Sequence, residues 1–136
     1  MTIYVLDASA LIRYADDEAG AERVEQIVLA CASEQAEVCI SAVQWGEVAG
    51  NLRKRFGPAA EAGLMGKLLP SEVVIVSATG ERAERAAALS VDRKIAYADG
   101  FAIGLTMESP NRILVTADYG FKAVDDLAKI ECLPTK

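Results

Sequence analysis

Short apolar segments rich in β-branched residues alternate along this chain with longer amphipathic segments, and this alternation constrains the fold most strongly. The apolar segments are predicted strands, at residues 3–6, 37–40, 73–76 and 112–118, with a last edge strand within 128–133. The segments between them are predicted helices, over residues 18–35, 41–56, 59–69, 80–92 and 97–109. Alternating strands and helices favour a parallel sheet that is covered on both faces. We therefore predict an α/β fold in which residues 1–136 form a single three-layer domain with a central, mostly parallel sheet flanked by helices.

Local signals place two boundaries in the helical part of this pattern. Ser41 begins the sequence SAVQ, in which Gln44 stands at the position that completes a capping box. We expect a helix from Ser41 toward Phe56 that Gly57 and Pro58 interrupt. The leucines and the methionine of the next helix repeat at helical spacing, so we interpret them as core residues, with a dimer or partner contact as the weaker alternative. These residues are Leu64, Met65, Leu68 and Leu69.

Acidic side chains stand where the predicted strands end or where the following helices begin. Asp7 follows the first strand and Asp118 follows the fourth. Glu47 lies about two turns into the helix after the second strand, and Asp99 lies near the start of the helix that begins YADG. Ligands of parallel α/β proteins bind beyond the carboxyl ends of the strands. We therefore expect these four carboxyl groups to converge at one edge of the sheet.

Each acid also has a simpler explanation when it is taken alone. An aspartate after a strand is often a turn former or a helix N-cap, which applies to Asp7 and Asp118. Glu47 could be a solvated helix residue, and Asp99 could be favoured by the helix dipole. Only the joint arrangement points to a site.

The absence of histidine removes most other catalytic chemistries from consideration. Serine triads, cysteine–histidine nucleophiles, HExxH proteases and histidine-ligated zinc all require imidazole, and the chain has none. The three cysteines are odd in number and form no CxxC pair, so a disulfide framework or a cysteine zinc site is not indicated. Any catalysis must depend on carboxylates, hydroxyls, lysine or a metal that oxygen atoms bind.

Converging carboxylates repel one another unless a cation neutralises them, so the cluster predicts a metal site. Oxygen-only ligands favour Mg²⁺ or Mn²⁺, and the chemistry that suits them is hydrolysis of a phosphodiester by a metal-activated water. Ser9 and Thr116, each two residues from an acid, are expected to orient that water or to fix a carboxylate, although turn hydrogen bonding explains them equally well.

Other enzyme classes that use carboxylates or bind nucleotides fit less well. A haloacid-dehalogenase-like phosphatase needs a DxD sequence after the first strand, where this chain has Asp7-Ala8-Ser9. A receiver domain needs an aspartate at the tip of the third strand, and VVIVSATG contains none. Neither a P-loop nor a GxGxxG after a strand is present.

The net charge of −6 argues against a simple nucleic-acid-binding module, because phosphates would be repelled without a local basic rim or bound cations. Two basic runs could supply such a rim, at Arg53–Arg55 and at Arg93–Lys94, although runs of this kind are usually solvated surfaces. No apolar run is long enough to span a bilayer and no signal sequence is evident, so we expect a cytoplasmic protein without a membrane partner.

Taken in order, the acid-bearing segments resemble the PIN domain family, and most closely the VapC-like ribonuclease toxins of toxin–antitoxin pairs. YVLDASALI is similar to the opening strand of the family with its D-x-S, and ISAVQWGEV to the segment that carries the second acid. YADGFAIGL and LVTADYGF are similar to the segments of the third and fourth acids. The resemblance covers nearly the whole chain.

The resemblance implies a metal-dependent endoribonuclease with an RNA substrate, Mg²⁺ or Mn²⁺ as cofactor, a homodimeric state and a cognate antitoxin. It makes Asp7, Glu47, Asp99 and Asp118 the metal-binding acids, with Ser9 and Thr116 assisting. Gly100 departs from the alanine that the family commonly has after the third acid; because glycine is a poor helix former, we expect it to loosen Asp99. The alternative is a non-catalytic PIN-like module that binds protein or RNA, and a phosphatase is a weaker third possibility.

Overall fold

The computed structural model describes residues 1–136 and confirms the predicted alternation of strands and helices. The strands are β1 (Ile3–Leu6), β2 (Glu37–Ser41), β3 (Val74–Val76), β4 (Arg112–Thr116) and β5 (Lys129–Cys132). The helices are α1 (Ala8–Ala15), α2 (Ala21–Ala32), α3 (Ala42–Phe56), α4 (Pro58–Leu68), α5 (Gly80–Arg93) and α6 (Tyr97–Thr106). A 3₁₀ helix spans Tyr119–Val124.

All five strands are parallel and lie in the order β3-β2-β1-β4-β5. From β1 the chain first builds the sheet outward through β2 and β3, and then returns to place β4 on the other side of β1. The order of the strands therefore reverses between β1 and β4. In open parallel sheets the connections diverge at such a point and leave a crevice beyond the strand ends, which is where ligands bind.

Two hydrophobic cores cover the two faces of this sheet, because neighbouring residues of a strand point to opposite faces. In β1, Leu6 joins the core with α1, α2 and α3, whereas Val5 joins the core with α6. In β4, Val115 and Leu114 divide between the two cores in the same way. The result is the three-layer arrangement that the alternation predicts.

Helix α1 was not predicted, and it starts directly after the first acid. Asp7 is its N-cap, with a side-chain oxygen that accepts a hydrogen bond from the Ala10 N–H. Two residues of the new helix, Ala10 and Leu11, are fully buried against the core. The first strand therefore leads into the helical layer without a loop, which leaves Asp7 at the junction.

The helix bounds differ from the predicted ones mainly at the ends. Helix α2 is shorter than the predicted 18–35, because Gly20 precedes it in a left-handed conformation and Glu34 follows it with a positive φ angle. The segment after Asp118 is the 3₁₀ helix rather than an irregular turn, and β3 is one residue shorter than expected. The edge strand predicted within 128–133 is confirmed as β5.

The interpretation of helix α4 as a core helix is wrong in part. None of its residues is buried, and Leu64 is 42% exposed. Met65, Leu68 and the following Leu69 are only partly buried, against the core on the α1–α3 face. The apolar side chains of α4 therefore cover the edge of that core, and Leu64 leaves apolar surface exposed.

Gly100 has a packing role that opposes the expected loosening of Asp99. It is buried in α6, and a Cβ atom at this position would lie 2.5 Å from the Ala86 carbonyl oxygen of α5. Only glycine permits this approach of the two helices without a shift of the backbone. The residue after Asp99 is therefore held firmly against α5.

None of the helices combines the length and the apolar composition that a membrane span requires.

Candidate active site

Asp7 is the most constrained side chain of the candidate site. It is 3% exposed and lies at the end of β1, beside the end of β4. Its Oδ1 accepts hydrogen bonds from the Ser9 hydroxyl (2.8 Å) and the Ala10 N–H (2.9 Å), and its Oδ2 accepts from the Thr116 hydroxyl (2.5 Å). Three donors fix the orientation of this carboxyl group and leave part of its lone-pair capacity unused.

The Ser9 and Thr116 hydroxyls are committed to Asp7. Each hydroxyl has one hydrogen to donate, and each also accepts a backbone N–H: Ser9 Oγ from Ala117 (2.9 Å) and Thr116 Oγ1 from Asp118 (2.9 Å). The two oxygens are 3.2 Å apart. Of the two roles expected from the sequence, the geometry favours fixing a carboxylate over orienting a water.

The other acids come to the same end of the sheet from separate elements. Asp118 directly follows β4 and is exposed, and its Oδ1 accepts a hydrogen bond from the Gly120 N–H (2.8 Å) as the cap of the 3₁₀ helix. Glu47 lies on the second turn of α3 with an exposed side chain. Asp99 is partly buried in the first turn of α6. Asp7 and Asp118 are therefore caps as well as candidate site residues, and the two explanations do not exclude each other.

Electrostatic coupling indicates that the four carboxyl groups converge. Burial raises the pKa of Asp99 to about 6, and the charges of Asp118, Asp7 and Glu47 add to that effect in this order. Although the Glu47 side chain is exposed, the protein around it removes part of its hydration and so raises its pKa, and the charge of Asp7 raises that pKa further. Asp99 therefore experiences the negative charge of every other predicted acid.

Burial is also the main reason that the pKa of Asp7 lies above its ordinary value. The hydrogen bonds from Thr116, Ala10 and Ser9 lower this pKa and so oppose the effect, while the charge of Asp118 raises it further. The hydrogen bonds therefore hold the charged form of a carboxyl group that burial disfavours.

The donor set has the chemistry of a hard-cation site, although no complete ligand set is preformed. No group of three or more acidic, cysteine or histidine side chains is placed to hold a metal ion by itself. Mg²⁺ commonly binds through one or two carboxylates and keeps several waters, so it does not need such a group. The mutual repulsion at Asp99 is the kind that a divalent cation relieves. The residues present therefore fit a hydrated Mg²⁺ or Mn²⁺ better than a caged ion.

Gln44 is a site residue that the sequence interpretation missed. Ser41 caps α3 as predicted, through the Val43 N–H, but Gln44 does not return to complete a capping box. Its amide instead donates to the Ala98 carbonyl and accepts from the Ala8 N–H. The signal was present in the sequence, because Gln44 shares a buried helical stripe with Val48 and Leu52.

The two basic runs are partly used in ion pairs. Arg55 makes a two-pronged pair with Asp16 at 2.9 and 3.0 Å, and Arg93 pairs with Asp126 at 2.7 Å. Arg53 and Lys54 are exposed and make no ion pair. Of the run on α3, the first two residues are therefore the ones free to meet phosphates.

Comparisons with solved structures find the same fold in bacterial and archaeal proteins. The VapBC2 structure from Rickettsia felis, bound to a promoter DNA fragment, matches at a TM-score of 0.74 with 16% identity, over 98% of this chain and 100% of the other. VapC20 from Mycobacterium tuberculosis, described as a sarcin-ricin loop cleaving toxin, matches at 0.69 with 22% identity, over 90% and 95% of the chains. PAE2754 from Pyrobaculum aerophilum matches at 0.63 with 22% identity, over 95% and 89%.

Sequence comparisons give a family assignment. No curated protein matches the chain in a sequence search. The family model for the PIN domain matches residues 4–127, a range that begins within β1 and includes all four predicted acids. Fold, topology and family model agree, and the chain belongs to the PIN domain family.

Proposed function

We propose that this protein is a Mg²⁺- or Mn²⁺-dependent endoribonuclease that hydrolyses RNA phosphodiester bonds as the toxin of a toxin–antitoxin pair. The observation that carries the proposal is geometric: Asp7, held by three hydrogen bonds, and Asp118 follow the ends of the adjacent strands β1 and β4. Asp99 on α6 is near enough for the charges of both, after burial, to raise its pKa. Carboxyl groups with raised pKa values are typical of functional sites, because their charged form lowers the stability of the native state. The membership in the PIN domain family and the similarity to VapC structures support the same chemistry.

In this proposal each side chain of the site has a distinct part. A bound cation would lower the pKa of a water ligand and offset the negative charge that builds on the phosphate. Asp7, oriented by Ser9 and Thr116, presents a carboxylate that cannot rotate. Asp118 follows β4 and Asp99 lies in the first turn of α6, and the charges of Asp118, Asp7 and Glu47 all reach Asp99. The residues thus accept the cation and keep the reacting groups in a fixed arrangement.

The direct test is cleavage of RNA by the purified protein with Mg²⁺ or Mn²⁺ and with EDTA. We expect metal-dependent products with 5′-phosphate and 3′-hydroxyl ends, as metal nucleases leave. Asp7→Asn should abolish cleavage and keep the fold, whereas Asp92→Asn removes the same charge from an exposed position on α5 and should leave the activity unchanged. An Asp7→Asn protein that cuts at the parent rate would contradict the assignment.

Two further measurements, beside RNA cleavage, separate the alternative functions. A non-catalytic PIN-like module would not cut RNA, and its melting temperature would be indifferent to millimolar Mn²⁺, because only a ligand that binds the native state stabilises it. A phosphatase would hydrolyse small phosphomonoesters without cutting RNA.

The partners in this proposal are a cognate antitoxin and a second copy of the chain. An acidic crevice attracts an arginine or lysine from an inhibitor segment, and several matching structures are toxin–antitoxin complexes. Co-purification of the product of a small neighbouring gene, with loss of RNA cleavage, would support the first partner. Light scattering should give about twice 14.4 kDa for the homodimer. Leu64→Glu tests whether the exposed apolar surface of α4 takes part.

A further inference from the structure

Gln44 is a buried polar side chain that connects segments far apart in the sequence. It is 2% exposed, and both ends of its amide are used. Oε1 accepts from the Ala8 N–H at 2.7 Å, and Nε2 donates to the Ala98 carbonyl at 2.7 Å. The two partners lie 36 and 54 residues away along the chain, on α1 and α6. Short, well-paired bonds at a buried position are too specific for a side chain that only fills space.

The two backbone groups that Gln44 binds are the immediate neighbours of two predicted acids. Ala8 directly follows Asp7, and Ala98 directly precedes Asp99. Gln44 itself lies three residues before Glu47 on α3, which is one turn of the helix. One amide therefore connects the backbone beside Asp7 with the backbone beside Asp99, from the helix that carries Glu47.

The chemistry of the two partners determines which side chain can occupy this position. An N–H must meet an acceptor and a carbonyl must meet a donor, and a primary amide offers both at a fixed separation. The Ala8 N–H is the first amide of α1 and has no partner within its own helix. Glutamate would place an oxygen against the Ala98 carbonyl, and methionine has a similar length but offers neither bond. Asparagine is one methylene shorter and cannot span the two partners.

We propose that Gln44 is a positioning residue that fixes Asp7 and Asp99 relative to each other in the metal-binding geometry. This inference rests on the proposed function, because it gives Gln44 a role in the metal site that we assign to these acids. Gln44 is buried, and both ends of its amide are used by backbone groups, so it is not itself a proposed metal ligand. Groups that orient metal ligands from behind commonly change metal affinity by about 10- to 100-fold when they are replaced.

The test compares the affinity for Mn²⁺ in variants that are altered at Gln44 and in a control that is destabilised elsewhere on α3. Gln44→Met removes both hydrogen bonds, and Gln44→Asn, which keeps an amide but cannot reach both partners, is the second variant should the first fail to fold. Leu52→Ala is the control, because Leu52 is a buried residue two turns farther along the same stripe of α3 and has no polar atom in its side chain. Mn²⁺ binding is measured by the loss of the free-ion signal in electron paramagnetic resonance, and stability by urea denaturation.

We expect Kd for Mn²⁺ to rise about tenfold in the Gln44 variants and to stay at the parent value in Leu52→Ala. Hydrogen exchange of the metal-free Gln44→Met protein should also quicken at residues 8 and 98–100. If the parent binds Mn²⁺ and the Gln44 variants bind it equally well, Gln44 is only a structural residue and the inference is wrong. If the parent itself binds no Mn²⁺, the proposed metal site fails, and the inference fails with it.

Discussion

Replacing Asp99 by asparagine should make the metal-free protein more stable at neutral pH, although it should abolish activity. Burial raises the pKa of Asp99 to about 6, and the charges of the other three acids add to that effect. Asparagine has nearly the same shape without the charge. The substitution therefore removes an unfavourable charge from the native state and leaves the packing of α6 unchanged.

The size of the effect follows from the shift in pKa. A rise from 3.8 to about 6 is about 2 units, and at 1.36 kcal/mol per unit this gives about 3 kcal/mol as an upper bound. Asp99 is only partly buried, and solvent screening reduces this to about 1–2 kcal/mol. Loss of a carboxylate from the first turn of α6 costs up to about 0.5 kcal/mol through the helix dipole. We expect a net gain of about 1 kcal/mol.

The pH dependence of this gain has a definite sign. Because the pKa is higher in the native state, the native protein holds the Asp99 proton between about pH 4 and pH 6 and the unfolded chain does not. The stability of the parent relative to Asp99→Asn therefore falls as the pH rises through this window. The advantage of the variant should be full at pH 8, about half near pH 5, and absent below the unfolded pKa.

Urea denaturation in EDTA at pH 8 and at pH 5 measures this difference, with Asp92→Asn as the control. Asp92 is exposed on α5 and has no ion pair, so its replacement changes the net charge equally and should leave the stability within about 0.5 kcal/mol. Excess Mn²⁺ should reverse the order, because at 100 times Kd a ligand adds about 2.7 kcal/mol to the parent. If Asp99→Asn is no more stable than Asp92→Asn in EDTA at pH 8, the four acids do not repel one another.

Two further substitutions test the surroundings of the site. Gly100→Ala should destabilise the protein by about 1–3 kcal/mol, because the new Cβ would lie 2.5 Å from the Ala86 carbonyl oxygen. The control is Gly63→Ala, where an added Cβ meets no atom within 4 Å, and it should stabilise α4 by about 0.5–1 kcal/mol. Equal effects of the two substitutions in urea denaturation would contradict the close approach of α5 and α6. Thr116→Val should lower the free energy of unfolding by about 1–3 kcal/mol at pH 7 and weaken Mn²⁺ binding, because it leaves the buried Asp7 Oδ2 without its donor. If calorimetric titration shows that the variant binds Mn²⁺ with the parent affinity, Thr116 does not belong to the metal site.

The sheet and its acids were predictable from the sequence because their signals are local. β-Branched runs identify β1, β2 and β4, and the rule for parallel sheets places Asp7 and Asp118 at one edge. The reversal of strand order between β1 and β4 is not a local property, and no single segment encodes it. It became visible only when the pairing of the strands was known.

Contacts across the fold explain what the sequence did not reveal. Gln44 has the spacing of a capping-box residue, yet its side chain forms hydrogen bonds with the Ala8 N–H of α1 and the Ala98 carbonyl of α6. Gly100 is unfavourable when only helix propensity is considered, but its lack of a side chain allows Ala86 of α5 to approach α6 closely. In both cases a tertiary partner reverses the meaning of a local rule.

The energetic cost of the acidic cluster supports the catalysis that we propose over passive binding. A PIN-like module that only held a partner could replace Asp99 with a neutral residue and gain stability, and its Asp7 could cap α1 without the added hydrogen bonds from Ser9 and Thr116. Such costs are retained where the charge itself performs the function. The acids also repel the phosphates of RNA. In a module that binds RNA without a cation, they would therefore lower both the stability of the protein and its affinity for RNA. A cation bound as we propose would remove both objections, because it would relieve the repulsion at Asp99 and attract the phosphate of the proposed substrate.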